Sequence, residues 1–174
     1  PLESNPRDSA SKPSEILDYA SRGITHTLHQ TYDESTVKDG MDIALCCWDE
    51  KQNTIEYAGA YNPLYLFRDG KLQEFKGDRF PAGTFVGEQA RKFTNHKIEA
   101  KPGDMLYVFS DGYADQFGGP RGKKYMMRRF RQLLTDIHEK PIDEQYDLLL
   151  AHYKNWKGNL EQVDDIIVMG VRIT

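Results

Sequence analysis

Cysteine is scarce in this sequence, and its distribution excludes a disulfide scaffold. The chain of 174 residues has two cysteines, Cys46 and Cys47, which are adjacent. Neighbouring side chains of a strand point to opposite faces, so these thiols do not readily bridge each other. The CxxC spacing of redox and zinc sites is absent too. We therefore expect a protein of a reducing compartment, the cytoplasm.

Long apolar runs and an excess of positive charge are also absent. No stretch approaches the roughly 20 apolar residues that a membrane-spanning helix needs. The first residues lack the basic-then-apolar pattern of a signal peptide. Lys and Arg number 23 against 27 Asp and Glu, which gives a net charge of −4. The sequence therefore predicts neither a membrane span nor a nucleic-acid partner.

The beginning of the chain differs in composition from the rest. Residues 1–13 are rich in Ser, Pro, Asn and Asp, without periodicity, and are predicted to be a linker or disordered segment. Residues 14–174 are long enough to form one domain with a hydrophobic core. The chain does not begin with methionine. We therefore expect it to be a piece of a longer protein.

Hydrophobic periodicity predicts one helix, six strands, two helices and a final strand. The first helix is expected from about residue 14 to about residue 32, and the later helices over 126–137 and 142–156. Polar or Gly/Pro turns separate the strands, and Asp69-Gly70 is a strong hairpin signal. The predicted strands cover residues 43–48, 54–58, 64–67, 71–75, 93–98, 105–109 and 166–171.

Two of these strands carry further expectations. The strand at 93–98 is predicted to pair with the strand at 105–109 through the Lys101–Asp104 turn. The last strand, 166–171, is rich in β-branched residues and almost continuously apolar. That composition is typical of a buried central strand.

Two acidic motifs stand beside apolar strands. Asp111 follows the strand at 105–109, and Gly112 allows a sharp turn there. Asp164 and Asp165 directly precede the last strand, where adjacent like charges are costly unless a positive group binds them. Strand-end carboxylates suit a hard divalent cation. Each motif by itself is better explained as a solvated turn. If the two strands are neighbours in one sheet, the motifs converge on one site.

A basic segment follows the first acidic motif. Residues 121–131 contain six Lys and Arg and no acidic residue. One interpretation is attraction of a phosphorylated protein. The other is a solvated helix face whose Met127 and Phe130 side packs inward.

Five segments in order then resemble the SpoIIE/RsbU-type bacterial branch of the PP2C (PPM) serine/threonine phosphatases. They are residues 39–46, 57–65, 102–106, 109–118 and 161–166. The resemblance covers roughly residues 14–173. It implies an α/β (α+β) fold, an α-β-β-α sandwich of antiparallel sheets flanked by helices.

The same resemblance implies a metal site with two Mn²⁺ or Mg²⁺ ions. Asp111 matches the metal-binding Asp of the family's Asp-Gly motif, and Asp164 matches the first Asp of its C-terminal Asp-Asp motif. Asp165 is a candidate for supporting the ligands, and Gly112 for supporting the backbone. No catalytic or substrate-binding side chain is assigned.

Other parts of the family pattern are missing. The Gly-Asp strand motif and the Gly-Asp-x-x-Gly-His-Gly hairpin, which supply the bridging carboxylate, have no counterpart. The Gly-Asp pairs at 77–78 and 103–104 lack the following Gly-His-Gly. The resemblance therefore implies an N-terminally truncated catalytic domain, lacking its first strands and impaired in hydrolysis.

Two functions are consistent with these features. The first is metal-dependent dephosphorylation of phosphoserine or phosphothreonine on a regulatory protein, such as an anti-sigma-factor antagonist, with a sensory domain upstream. The alternative is a non-catalytic interaction or dimerisation module built on a partial phosphatase fold. Missing strands would leave sheet edges that tend to pair with another chain, and a homodimer is expected on that ground.

Overall fold

The computed structural model of the chain describes residues 12–27, 40–83 and 91–174. It has antiparallel sheets together with helices, which confirms the predicted mixed class. The elements, in order, are α1 (Pro13–Thr27), β1 (Ile43–Asp49), β2 (Thr54–Ala60), β3 (Leu64–Arg68), β4 (Lys71–Phe75), β5 (His96–Glu99), β6 (Met105–Phe109), α2 (Gly112–Asp115), β7 (Phe117–Gly118), β8 (Lys123–Lys124), α3 (Met127–Ile137), α4 (Ile142–Lys157) and β9 (Val168–Arg172).

The chain divides into two compact units. The first comprises residues 1–64 and 75–100, and the second comprises residues 65–74 and 101–174. The predicted linker falls mostly outside the described residues, and so does the predicted end of α1 near residue 32. None of the helices in the described ranges is long and apolar enough to span a membrane.

The first unit is built on a sheet of order β1-β2-β5, antiparallel throughout. Helix α1 begins with Pro13, which suits the first helical position. Its side chains hold the neighbouring loops, because Asp18 accepts a hydrogen bond from the Phe93 amide at 2.9 Å and Thr25 donates one to the Gly83 carbonyl at 2.8 Å. The buried core of this unit consists of Leu17, Ala58, Ala60, Ala82 and Phe93.

The second unit contains a sheet of order β4-β3-β6-β9. The predicted Asp69-Gly70 hairpin between β3 and β4 is confirmed, because φ is 50° at Asp69 and 69° at Gly70. Positive φ at both central residues is the backbone that this tight turn requires. The core is formed by residues of the sheet, of α2 and of α3 together with Tyr125, and comprises Tyr65, Phe67, Met105, Tyr107, Phe109, Tyr113, Tyr125, Phe130, Leu133, Leu134 and Ile137.

Two strand predictions are wrong. Strand β5 pairs with β2 and does not pair with β6, because the Ala100 amide donates to the Asn53 carbonyl at 2.8 Å and continues the β2–β5 ladder. Strand β9 lies at the end of its sheet and is not central. Met169 on β9 is 58% exposed, and β6 is the one partner strand of β9 within the described residues.

The apolar period over residues 142–156 predicts that Ile142 and Tyr146 lie on the packed face of α4, and this prediction is wrong. Ile142 and Tyr146 are exposed, and the buried residue of the first turns is Gln145. Its amide group explains this burial, because it accepts a hydrogen bond from the Tyr107 hydroxyl and donates at 2.7 Å to the Lys140 carbonyl. The helix therefore docks partly through hydrogen bonds that no hydrophobic period reveals.

An ion pair fixes the start of β6 against β3. Asp104 is 1% exposed, and its two carboxylate oxygens accept hydrogen bonds from Arg68 Nε at 2.8 Å and Nη2 at 2.6 Å. The Lys101 amide donates to the same carboxylate at 2.9 Å. A bidentate pair of this geometry is among the stronger polar contacts in proteins. One of the two Gly-Asp pairs of the sequence therefore has a structural role.

Replacing Asp104 with alanine is expected to lower the free energy of unfolding by about 3–5 kcal/mol, because the variant removes the carboxylate from a largely buried guanidinium. Urea denaturation followed by circular dichroism measures this change. Glu144→Ala is the matched control, since it breaks the exposed Lys140–Glu144 pair. An exposed pair of this kind should contribute only about 0.5 kcal/mol. Equal losses in the two variants would contradict the importance of the buried pair.

Candidate functional site

The antiparallel pairing of β6 with β9 brings the two acidic motifs together. Phe109 is paired with Val168, and the ladder continues as the Ser110 amide donates to the Ile167 carbonyl at 3.0 Å. The same register places Asp111 and Gly112 opposite residues 166 and 165. The motif that follows one strand therefore lies beside the motif that precedes the other, as the sequence predicted for neighbouring strands.

The Ser110 hydroxyl closes this end of the ladder. It donates a hydrogen bond to the Asp165 carbonyl at 2.8 Å and accepts one from the Ile167 amide at 3.0 Å. A hydroxyl can do both at once because it carries one donor and two acceptor lone pairs. The sequence does not predict these two hydrogen bonds of Ser110, because Asp165 and Ile167 are distant from it in the chain.

Gly112 permits a close approach of the two segments. A Cβ at this position would lie 2.3 Å from the Asp165 carbonyl oxygen and 3.3 Å from the Asp164 Cβ. The first distance is far inside van der Waals contact, so no other amino acid fits without moving the backbone. The close approach of the two segments therefore requires glycine at position 112, whose predicted role at a metal site stays a prediction.

The acidic side chains themselves are exposed at the surface. Asp111 precedes α2 with helical backbone angles, and its carboxylate does not cap that helix. Asp164 Oδ1 accepts a hydrogen bond from the Asp165 amide at 2.7 Å, which fixes the carboxylate against its own backbone. The structure thus presents two strand-end carboxylates to solvent, from Asp111 and Asp164.

This donor set is chemically suited to a hard divalent cation. Carboxylate oxygens are the ligands that Mg²⁺ prefers, and Mg²⁺ is usually bound through one or two carboxylates while it keeps several waters. Nowhere in the described ranges do three or more His, Cys, Asp or Glu side chains form a group that could bind a metal. Asp111 and Asp164 therefore fit part of a metal site, and their role as ligands stays a prediction.

Tyr113, a buried residue of α2, links this helix to α4. The Tyr113 hydroxyl donates to the Leu149 carbonyl of α4 at 2.9 Å. Burial raises the pKa of this phenol above its ordinary value, and the neighbouring Tyr125 and Tyr153 raise it further. Tyr113 therefore remains a neutral hydrogen-bond donor and has no acid–base role at neutral pH.

Gln116 connects the end of α2 to the segment that leads to Asp164. This side chain is fully buried, and its Nε2 donates to the Glu161 carbonyl at 2.8 Å. Its Oε1 accepts a hydrogen bond from the Tyr153 hydroxyl at 2.9 Å. Its role is not predictable from the sequence, because a single glutamine in a polar stretch carries no signal of burial.

The basic segment 121–131 contributes both to the core and to the surface of the second unit. Phe130 is fully buried and Met127 packs partly against the same core, as the structural interpretation requires. Arg121, Lys123 and Lys124 in its first half are exposed and line a cavity.

Comparisons with known proteins give a consistent result. A family model described as Stage II sporulation protein E (SpoIIE) matches residues 3–174. The structure is similar to the SiaA-PP2C domain of Pseudomonas aeruginosa, with a TM-score of 0.81 and 29% sequence identity over 94% of this chain and 61% of that one. No curated protein sequence matches.

Two more distant structures share the fold. One contains the PP2C phosphatase domain and a fragment of the regulatory domain of SpoIIE from Bacillus subtilis, with a TM-score of 0.60 and 17% identity over 91% of this chain and 50% of that one. The other is the catalytic domain of the phosphatase PstP in complex with two manganese ions, with a TM-score of 0.56 and 14% identity over 93% and 71%. The chain thus spans 61% and 50% of the SiaA and SpoIIE structures.

Gly112→Ala should separate the two acidic segments and destabilise the protein by about 1–3 kcal/mol, because the new methyl group overlaps the Asp165 carbonyl. Thermal unfolding measures the loss. Gly23→Ala is the matched control, since nothing lies within 4 Å of a Cβ at that helical position. It should be neutral or stabilising by up to about 1 kcal/mol. A Gly112→Ala variant as stable as the wild type would refute the close approach.

Proposed function

The chain belongs to the SpoIIE family, and from this membership we propose that it dephosphorylates phosphoserine or phosphothreonine on a regulatory protein in a metal-dependent reaction. The observation that supports this proposal most directly is the convergence of Asp111 with Asp164 and Asp165 across the β6–β9 ladder. A solvated turn explains each motif alone, but it does not explain why both motifs meet.

In this proposal Asp111 and Asp164 hold Mn²⁺ or Mg²⁺, as the manganese complex of PstP suggests by analogy. When bound, such ions neutralise phosphate charge and lower the pKa of a coordinated water. The protein's own groups position the ligands. Ser110 fixes the backbone at residues 165 and 167, Gly112 allows the segments to approach, and the Asp165 amide orients the Asp164 carboxylate.

The partner in this proposal is a phosphorylated regulatory protein of the anti-sigma-factor antagonist type. A regulatory or sensory domain in the same polypeptide would control the reaction, as the regulatory-domain fragment in the SpoIIE structure suggests. The cytoplasm is the proposed location, because Cys46 and Cys47 are free exposed thiols, which suit a reducing compartment.

The 174-residue chain is expected to bind Mn²⁺ weakly and to hydrolyse a phosphoserine peptide slowly, because no three His, Cys, Asp or Glu side chains of the described residues form a group that could hold a metal. Asp111→Asn or Asp164→Asn should weaken Mn²⁺ binding at least about tenfold, as calorimetric titration would measure, and should abolish the remaining turnover. Asp136→Asn, an exposed carboxylate on α3, is the matched control. Rapid hydrolysis that survives Asp111→Asn would refute the proposed site.

A second candidate function is a non-catalytic interaction or dimerisation module. It is favoured by the exposure of apolar side chains on β9, where Met169 is 58% and Val171 is 38% exposed. Strand β9 ends its sheet within the described residues. An exposed apolar edge strand is a template for pairing with another chain.

If this module dimerises through β9, sedimentation velocity will show a mass that rises with concentration, and Met169→Lys will shift the equilibrium towards monomer. A charge on an edge strand disfavours strand pairing between chains. Tyr146→Lys is the matched control, because Tyr146 is 65% exposed on α4, away from the strand. A concentration-independent monomer would exclude this alternative.

A further inference from the structure

A basic groove lies within the second unit, beside the β7–β8 hairpin. Its cavity measures about 880 Å³. Five cationic side chains line it, together with aromatic and methionine side chains. The cations are Arg121, Lys123, Lys124, Arg128 and Arg129, and the large apolar residues are Phe117, Met126, Met127 and Trp156. A cavity of this size is typical of sites that take a ligand or a short stretch of peptide.

The groove has a rigid wall. The Gly119 amide donates to the Trp156 carbonyl at 2.8 Å, and the Trp156 indole N–H donates to the Gln116 carbonyl at 3.0 Å. A Cβ on Gly118 would lie 1.9 Å from the Trp156 carbonyl oxygen. The hairpin backbone is therefore packed directly against the end of α4, and the groove does not depend on loosely placed loops.

Most of the positive charge in the groove is not neutralised by nearby acids. Lys124 pairs with Asp115 at 2.7 Å, and the Arg129 guanidinium lies over the Trp156 ring at 4.5 Å. Arg121, Lys123 and Arg128 are exposed, and none of them takes part in an ion pair within the part of the chain that the structure describes. Like charges crowded together in this way favour an anionic ligand.

The start of α3 adds to this preference. The 11-residue helix has no side-chain cap and no acidic residue in its first turn. Met126 precedes it with a φ of 77° and is 57% exposed. A non-glycine residue in such a conformation is strained, and strain of this kind clusters at functional sites. The groove thus combines the N-terminus of α3, which carries partial positive charge, with a cluster of cationic side chains and the exposed side chain of Met126.

We propose that this groove docks an acidic, phosphorylated segment of a protein partner. The cations would pair with carboxylates and phosphate, and Met126 and Phe117 would contact the apolar parts of the segment. A nucleic acid fits less well, because single strands need open aromatic faces for their bases. Here Trp156 is covered by Arg129 and by an edge-to-face contact with Tyr125.

The groove also has a direct connection to the acidic site. The Met126 amide donates to the Ala114 carbonyl of α2 at 2.7 Å, and Lys124 pairs with Asp115 of the same helix. Helix α2 begins directly after Asp111. The docking role for substrate rests on the proposed phosphatase function, since the bound segment would then be held next to the acidic site.

The test measures binding of a fluorescein-labelled acidic peptide that contains one phosphoserine, by fluorescence anisotropy in EDTA. Replacing Arg121, Lys123 and Arg128 together with glutamine should weaken binding about tenfold, because exposed charge pairs contribute modestly and here three are lost. The matched control replaces Lys51, Lys71 and Lys76 with glutamine, three exposed lysines outside the groove, and should bind like the wild type. Wild-type binding should also weaken steeply with added salt.

The outcomes separate this inference from the proposed function. A wild type that hydrolyses p-nitrophenyl phosphate with Mn²⁺ but does not bind the peptide overturns the docking inference alone. Equal losses in the groove and control variants also overturn it. Groove-dependent binding without Mn²⁺-dependent hydrolysis supports docking and contradicts the slow turnover proposed for this chain. Circular dichroism of each variant shows that a loss of binding is not a loss of folding.

Discussion

The alignment of β6 with β9 is the constraint on which the acidic site depends. Side chains alternate along a strand, so a shift of one residue would turn every side chain of β9 to the other face. The pairing of Phe109 with Val168 excludes this, and Ser110 continues it by two hydrogen bonds with the Ile167 backbone. The register of β6 against β9 thus determines where the two acidic motifs meet, although the side chains of Asp111 and Asp164 are themselves exposed.

The elements that local physics determines were predictable from the sequence. Asp69-Gly70 specified a hairpin because few residues adopt its positive φ angles readily. The periods of α3 and α4 located these helices closely. The meeting of Asp111 with Asp164 followed from one assumption, that their strands are neighbours. That assumption came from the two acidic motifs themselves, and strand pairing in the structure satisfies it.

The remaining features depend on contacts between residues far apart in sequence. The choice of β2 as the partner of β5 was not encoded in either strand alone. Buried polar residues are still harder to predict from the sequence, because Gln145 and Asp104 are buried only where the fold brings them against Tyr107 and Arg68. A hydrophobic pattern treats such residues as surface positions. The groove is likewise not predictable from the sequence, which shows only a run of basic residues. Trp156 of α4, which lines the groove, is distant in the chain.

The buried amide of Gln116 has a consequence for which substitutions the domain can accept. Its Nε2 faces the Phe117 and Glu161 carbonyls, and its Oε1 faces a hydroxyl. The amide therefore has one permitted orientation. Glutamate has nearly the same shape but would set an acceptor against two acceptors, so a change of a single atom reverses the polarity of two contacts at once. The size of a side chain alone therefore does not determine which substitutions are accepted at position 116. The arrangement of hydrogen-bond donors and acceptors around it does.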